Sequence, residues 1–365
     1  MIKILHICSD VNIGGAGHQI INLLNSMGEG FTAEVILPEA SRLAPILKRM
    51  RIKYHEVPHI AAQSFSWKGV GAIRRKLKEI APDIVHTHAS FSGRVAGRLY
   101  GKCKIVHTMH CAFPVSKRRR TFPVKQLLGM VNNFFSNRMI ATSPVAEAIL
   151  LETGASKKKI RVIFNGVPPA KEYTPAKIGM LRRKYNIPNG VFVLAYIARL
   201  TEIKGHDYVL DTAKELPYNV VILFAGDGDY EEHLKKRIEQ ENLYNVRLLG
   251  FIDNIEEVLA IMDAQLNMSY VSESTSLSLL QGMSIGKPAI VTNFSGNVYV
   301  IEKNVNGILI PPCDPEALDD AITNLKGDPD LYQRLSEGAK VRYNQQFTAK
   351  KMAEETEKIY KELIK

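Results

Sequence analysis

The sequence predicts an α/β fold of two Rossmann-like lobes, and three observations carry that prediction. Twelve short apolar, β-rich runs recur along the 365 residues, six in each half, and helical stretches separate many of them. Strands alternating with helices argue for parallel sheets, and the doubling argues for two of them. Between the sixth and seventh runs, Asn165-Gly166-Val167-Pro168-Pro169 interrupts regular structure. A chain of this length suffices for two domains, each burying its own core.

In the first half the expected strands cover residues 4–9, 33–38, 83–88, 104–110, 138–142 and 161–164, with helices at 18–27 and 67–80. In the second half they cover 191–197, 220–225, 246–250, 264–270, 289–292 and 307–310. Helices there are expected at 207–215, 230–241, 254–262 and 315–325, and residues 343–365 read as a terminal amphipathic helix. The domain boundaries follow as 1–167 and 168–346, with 347–365 as a closing helix.

Composition describes an ordinary globular protein, 45% hydrophobic and 23% charged. Cys8, Cys103, Cys111 and Cys313 are scattered without zinc-ligand spacing, which points to a reducing compartment. The opening apolar run is too short for a signal peptide, and no run is long enough to cross a bilayer. The expected location is cytoplasmic, with peripheral contact at the inner face of the cell membrane. Charge is uneven: residues 1–170 hold 25 Lys and Arg against 9 Asp and Glu, a formal +16, and the remainder holds 23 against 28, a formal −5. The first half is therefore expected to meet an anionic partner. No helix-turn-helix, RNP motif or zinc finger accompanies the charge, so a membrane leaflet or a diphosphate-linked acceptor fits better than nucleic acid.

The most informative segment is Ser272-Glu273-Ser274-Thr275-Ser276, which follows a buried run and leads into a helix-like stretch with Leu277, Leu280 and Ile285. Such a turn falls at the carboxyl edge of a parallel sheet, where open α/β folds bind ligands. The helix N-terminus supplies free N–H groups and a positive dipole end for a phosphate. Glu273 and Gln281, eight residues apart, are expected on one helical face, spaced for a ligand with a sugar at one end and a ribose at the other.

Other motifs have two readings each. Gly14-Gly15-Ala16-Gly17, after the first strand, either lets a ligand approach the backbone or makes a plain tight connection. It lacks the dinucleotide fingerprint. Arg199 and Lys204, past the first strand of the second lobe, would neutralise a diphosphate or form a solvated basic loop; the Glu273 turn at the same sheet edge favours the phosphate. His86, His88, His107 and His110 gather at two strand ends, as a metal site or as cleft-lining groups, and no carboxylate is placed to complete a ligand set. Asp227-Gly228-Asp229 reads as a turn feeding a helix. Lys117, Arg118, Arg119 and Arg120 precede the apolar stretch 122–135, either as an anchor at an anionic interface or as a solvated loop before a buried helix.

Together the glycine loop, Thr108-Met109-His110, Asn165-Gly166-Val167, Arg199 with Lys204-Gly205, Gly226-Asp227-Gly228, Leu249-Gly250-Phe251 and the Glu273-to-Gln281 segment resemble the retaining glycosyltransferases of family 4. The resemblance spans nearly the whole chain and implies the GT-B fold, two lobes facing across a central cleft, with the terminal helix crossing back onto the first. It implies that Arg199 and Lys204 bind the diphosphate of a nucleotide sugar, helped by Gly15, Ala16 and the amides near Ser276 and Leu277. Gly250, Phe251 and Ile252 would hold the base, Gln281 the ribose, and Glu273 and His110 the donor sugar. Two positions depart from the family pattern: Gln281 replaces a Glu, and Ser295-Gly296-Asn297-Val298-Tyr299 stands where Gly-Gly-x-x-Glu is usual.

The expected activity is transfer of a sugar from a nucleotide diphosphate, UDP by family preference, to an acceptor hydroxyl, with retention and without a metal or other cofactor. The expected setting is bacterial envelope or exopolysaccharide synthesis, with a glycan or lipid-linked acceptor. The alternatives are a catalytically inactive subunit serving a partner enzyme, which Gln281 and Tyr299 favour, and a sugar-nucleotide epimerase.

Overall fold

The computed structural model describes residues 1–61, 64–110 and 112–365. They form two compact units, Met1–Gly166 with Ala349–Lys365, and Val167–Thr348. The first unit holds a seven-stranded sheet of β1 (Ile2–Cys8), β2 (Phe31–Pro38), β3 (Lys53–Val57), β4 (Ile84–His88), β5 (Lys104–Met109), β6 (Arg138–Ala141) and β7 (Ile160–Val162), in the order β3-β2-β1-β4-β5-β6-β7. The second holds six strands, β8 (Phe192–Ile197), β9 (Val220–Ala225), β10 (Val246–Gly250), β11 (Ala264–Asn267), β12 (Ala289–Thr292) and β13 (Ile308–Ile310), in the order β10-β9-β8-β11-β12-β13. Every strand pairing is parallel. Both units are thus doubly wound, as the alternating pattern predicts.

Strand order fixes where a site can form. In the first unit the winding reverses between β1 and β4, and in the second between β8 and β11. At such reversals the connections diverge and leave a crevice beyond the strand carboxyl ends. The loops after β8 and β11 carry Lys204 and Glu273; the loop after β1 ends at Gly14, and Gly15 opens the helix that follows.

Burial follows the apolar pattern. Val193 to Tyr196 on β8 and Val220 to Ala225 on β9 are closed off from solvent, as strands covered on both faces must be. In the first unit, helix Ala349–Ile364 lays Met352, Ala353, Ile359 and Tyr360 against Ile4, Leu23, Ile84 and Val106. Polar bonds fix its register: the Gly28 amide donates to Glu357 Oε1 at 2.7 Å, and the Tyr360 hydroxyl and His86 Nδ1 share a 2.6 Å bond.

Several sequence expectations need correction. Strand β3 was not anticipated, because Lys53-Tyr54-His55-Glu56-Val57 is a polar edge strand with only Val57 fully buried. The terminal helix does not run from 343: helix Pro329–Gln346 ends first, and the chain restarts at Ala349. The run expected at 264–270 stops pairing at Asn267. Lys117–Arg120 is a helical turn and no loop. Helix Val124–Phe134 is not buried either: Leu127, Met130 and Phe134 are more than half exposed, and Gly129 is its one buried residue.

Cys8, Cys103 and Cys313 are free thiols, and Cys111 lies outside the described residues. Among the described residues no helix is long and apolar enough to cross a membrane.

Candidate active site

Glycine and a short helical turn shape the loop after β8. Residues Glu202–Lys204 make one 3-10 turn, closed by Gly205 at φ 71°, a conformation that side chains disfavour. A Cβ on Gly205 would also strike the Met268 carbonyl, so this loop packs directly against the residue that follows β11. The Tyr196 hydroxyl donates to the Lys204 carbonyl at 2.6 Å and fastens the loop to its own strand. Lys204 then reaches Glu273, Nζ to Oε2 at 2.7 Å, and Ser269 Oγ at 3.2 Å.

Glu273 is the hub. Its Oε2 also accepts from Ser269 Oγ at 2.9 Å and Asn267 Nδ2 at 3.2 Å. Burial opposes ionisation of this carboxyl, but the charge of Lys204 and the hydrogen bonds from Lys204, Asn267 and Ser269 outweigh it. The carboxyl is held below its ordinary range and stays charged at neutral pH. Its backbone is fixed from the other side: Ser295 Oγ donates to the Glu273 carbonyl at 2.7 Å and the Gly296 amide does so at 3.1 Å. The Ser295-Gly296 departure noted in the sequence therefore still serves to pin this loop.

Helix Leu277–Ser284 begins four residues after Glu273, so Glu273 and Gln281 do not share a helical face. The serine- and threonine-rich segment before it makes side-chain bonds to local backbone that compete with helix. Ser276 caps the helix by accepting from the Leu279 amide, and Ser278 Oγ donates to the Ile197 carbonyl at 2.8 Å. The second bond ties the helix start to the end of β8, with its first amides at the β8–β11 reversal.

Arg199 is exposed, and among the described residues its side chain makes no hydrogen bond or ion pair. Gly226 has φ 150°, and a Cβ there would overlap the Ala198 carbonyl. Its amide donates to the Gly250 carbonyl at 2.9 Å, which brings the ends of β8, β9 and β10 together. Phe251 beyond β10 is 63% exposed, whereas Ile252 packs against the core of its unit. Asp227 and Asp229 lie exposed on the turn beside them.

In the first unit, Gly15 opens helix Gly15–Ser26 and Ala16 is buried within it. Neither Gly14 nor Gly15 has a positive φ, and a Cβ on either would meet nothing within 4 Å among the described residues. The fold alone thus does not call for glycine at these positions. His110 follows β5 and is half-buried. His86 and His88 are fully buried inside the sheet, so they do not line an open cleft as the sequence suggested. His6 on β1, which sequence reasoning missed, joins them, with one ligand-type nitrogen from each of the three within 4.8 Å of the others. Asn267 and Ser269 were missed as well; small polar residues ending a buried strand were the available signal.

The two halves of the chain match two families. The family described as "Glycosyltransferase Family 4" matches residues 13–171, and that described as "Glycosyl transferases group 1" matches residues 178–342. The Escherichia coli UDP-Gal:alpha-D-GlcNAc-diphosphoundecaprenol alpha-1,3-galactosyltransferase is 30% identical over 274 residues, covering 72% of this chain and 70% of that protein. The Erwinia amylovora amylovoran biosynthesis glycosyltransferase AmsK is 26% identical over 370 residues, covering 92% and 85%. Among solved structures, Anabaena HepE in complex with UDP and glucose superposes with a TM-score of 0.86 at 21% identity, covering 99% of this chain and 100% of that one.

Proposed function

Because the chain belongs to the family 4 glycosyltransferases of the GT-B fold, we propose that it transfers a sugar from a UDP-sugar to an acceptor hydroxyl with retention at the anomeric carbon. The observation that carries this reading is the charged set at the β8–β11 reversal. Arg199 stands there without a partner among the described residues, Lys204 is held by Glu273, and the first amides of helix Leu277–Ser284 are tied to the end of β8.

The chemistry asks for charge stabilisation. As the bond from the anomeric carbon to the diphosphate breaks, its electron pair passes to the leaving phosphate oxygen. Arg199, Lys204 and the helix amides meet that charge, each preplaced donor contributing about 3–4 kcal/mol. The acceptor oxygen bonds to the anomeric carbon, and its proton passes to the departing phosphate. Glu273 stays ionised beside Lys204 and accepts hydrogen bonds from the donor sugar's hydroxyls. Gln281, whose amide is uncharged, holds the ribose. His110 bonds to a sugar hydroxyl. Gly15 and Ala16 assist at the diphosphate, and Gly250, Phe251 and Ile252 hold the base. The reading requires no metal.

We assign the reaction to envelope or exopolysaccharide synthesis, with a glycan or lipid-linked acceptor; the names of the E. coli and E. amylovora relatives support that setting. The first unit would meet the anionic inner leaflet of the cell membrane. Phe122 is 80% exposed and Leu127, Met130 and Phe134 form an exposed stripe at helical spacing, next to the exposed cations Lys117, Arg118 and Arg119. Arg120 is drawn instead to Glu152 at 3.1 Å.

Calorimetric titration with UDP, GDP, ADP and NAD, run beside Arg199→Ala, tests the donor assignment. Selective UDP binding that the variant loses supports it. Binding of GDP alone would change the base, and no nucleotide binding would sink the site.

A further inference from the structure

Behind His110 the fold places two more imidazoles in series. His6 lies on β1 and His88 ends the neighbouring β4, paired in the register His6↔His86 and Cys8↔His88. His6 Nδ1 is 3.1 Å from His88 Nε2, and His88 Nδ1 is 3.0 Å from His110 Nε2. His6 and His88 are fully buried. Burial pushes His6 down to about 3, His110 to about 4 and His88 well below its ordinary value, so all three rings are neutral at pH 7.

A neutral imidazole has one N–H and one lone pair, and each contact in the series needs one of each. Only two proton arrangements satisfy both contacts. In the first, every ring carries its proton on Nδ1; in the second, every ring carries it on Nε2. The far end decides between them. His6 Nε2 is buried and has no hydrogen-bond partner among the described residues. The second arrangement would bury an N–H there with nothing to accept it, whereas the first leaves only an unused lone pair. Orphaned buried N–H groups are the rarer fault in folded proteins, and each carries its full desolvation penalty.

We propose that the series His6–His88–His110 holds His110 in its Nδ1–H form, so that its free ring nitrogen is a fixed hydrogen-bond donor and not a base. Nδ1 of His110 has no partner among the described residues, and the residue is half-buried, leaving that nitrogen for a ligand. A fixed donor suits a sugar hydroxyl or ring oxygen and rejects a group that can only donate. His88 and His6 are positioning residues that act through His110. This use rests on the reading that His110 touches the sugar.

The test is long-range proton–nitrogen NMR on the full-length, ligand-free protein with labelled histidine. Single replacements assign His6, His88 and His110, and through-bond assignment serves where a replacement unfolds. The expected result is a protonated Nδ1 and a bare Nε2 on all three rings, with His110 reverting to a tautomer mixture in His88→Phe. An Nε2–H form of His110 in the wild type overturns the proposal. So does an unchanged His110 tautomer in a folded His88→Phe. The spectrum settles the tautomer whether or not the enzyme binds UDP, while the nucleotide titration settles the donor reading independently.

Discussion

Lys204 Nζ lies 2.7 Å from Glu273 Oε2, and the two side chains are only 18% and 10% exposed. Sixty-nine residues separate them, and only the adjacency of β8 and β11 brings them together. The pair sets both partners for work: Lys204 is held against Glu273 and Ser269, and Glu273 stays charged at 10% exposure. If a donor diphosphate binds at Lys204, it shares that charge with Glu273, and among the described residues Arg199 is then the cation of this loop without a counter-charge.

Breaking this pair from one side is expected to harm fold and function together. Lys204→Ala leaves a buried carboxylate without its counter-charge, a defect that costs about 3–5 kcal/mol. Lys204→Met combined with Glu273→Gln removes both charges and is expected to regain most of that stability with no recovery of transfer. Urea unfolding and turnover, measured on the same samples, separate the two effects. A double variant that transfers sugar at the wild-type rate would remove both residues from the chemistry.

Acid is expected to weaken the first unit before it touches the Lys204–Glu273 pair. The folded values of His6 and His110 lie below the ordinary value of 6.5, at about 3 and about 4, so the unfolded chain binds protons first. Their stabilising contribution is whole above pH 6.5 and declines as pH falls toward those folded values. His6 alone gives a slope of about 1.4 kcal/mol per pH unit. Glu273, held below its ordinary 4.5, contributes above that value and loses its share only as pH drops through its folded value. Denaturant midpoints from pH 7.5 to 4.5 should fall steadily from about pH 6.5; a flat profile down to pH 5 would mean that the buried rings are not neutral.

The sequence made the two sheets legible because strands covered on both faces must be apolar, as at Val220–Ala225. It hid β3, whose polar residues suit a sheet edge. The segment from Ser272 to Ser276 was recognisable as a turn before a helix, but its helix start was not, since hydroxyl side chains can bond backbone in either state. His6 was invisible for another reason. A lone histidine in Ile4-Leu5-His6-Ile7 reads as core, and its meaning comes from a register that sets it beside His86.

Membrane contact has its own test. Sedimentation with vesicles rich in phosphatidylglycerol should carry the protein down, and phosphatidylcholine vesicles should not. Replacing Lys117, Arg118 and Arg119 by serine should lower that affinity on the order of 100-fold, since each surface cation contributes about 1 kcal/mol. Leu127→Ser with Met130→Ser should weaken binding in a way that added salt does not mask. Equal binding to both vesicle types would discard the anionic leaflet as partner.

Two glycines should respond in opposite ways to the same substitution. A Cβ on Gly296 would overlap the Ser274 carbonyl, so Gly296→Ala must push aside the loop that holds Glu273. Transfer should fall at least 100-fold, and stability by roughly 1–3 kcal/mol, as for other overpacked sites. Gly15 has open space where its Cβ would be and an ordinary φ, so Gly15→Ala should leave stability unchanged or raise it by about 0.4–1 kcal/mol. If Gly15 lies against the donor diphosphate, the same methyl group should raise the UDP-sugar KM while the unfolding curve stays in place. Thermal unfolding and steady-state kinetics on both variants decide the matter. A Gly15→Ala enzyme with unaltered KM would return the glycine loop to a plain connection, and a fully active Gly296→Ala enzyme would show that the Glu273 loop need not be held where it is.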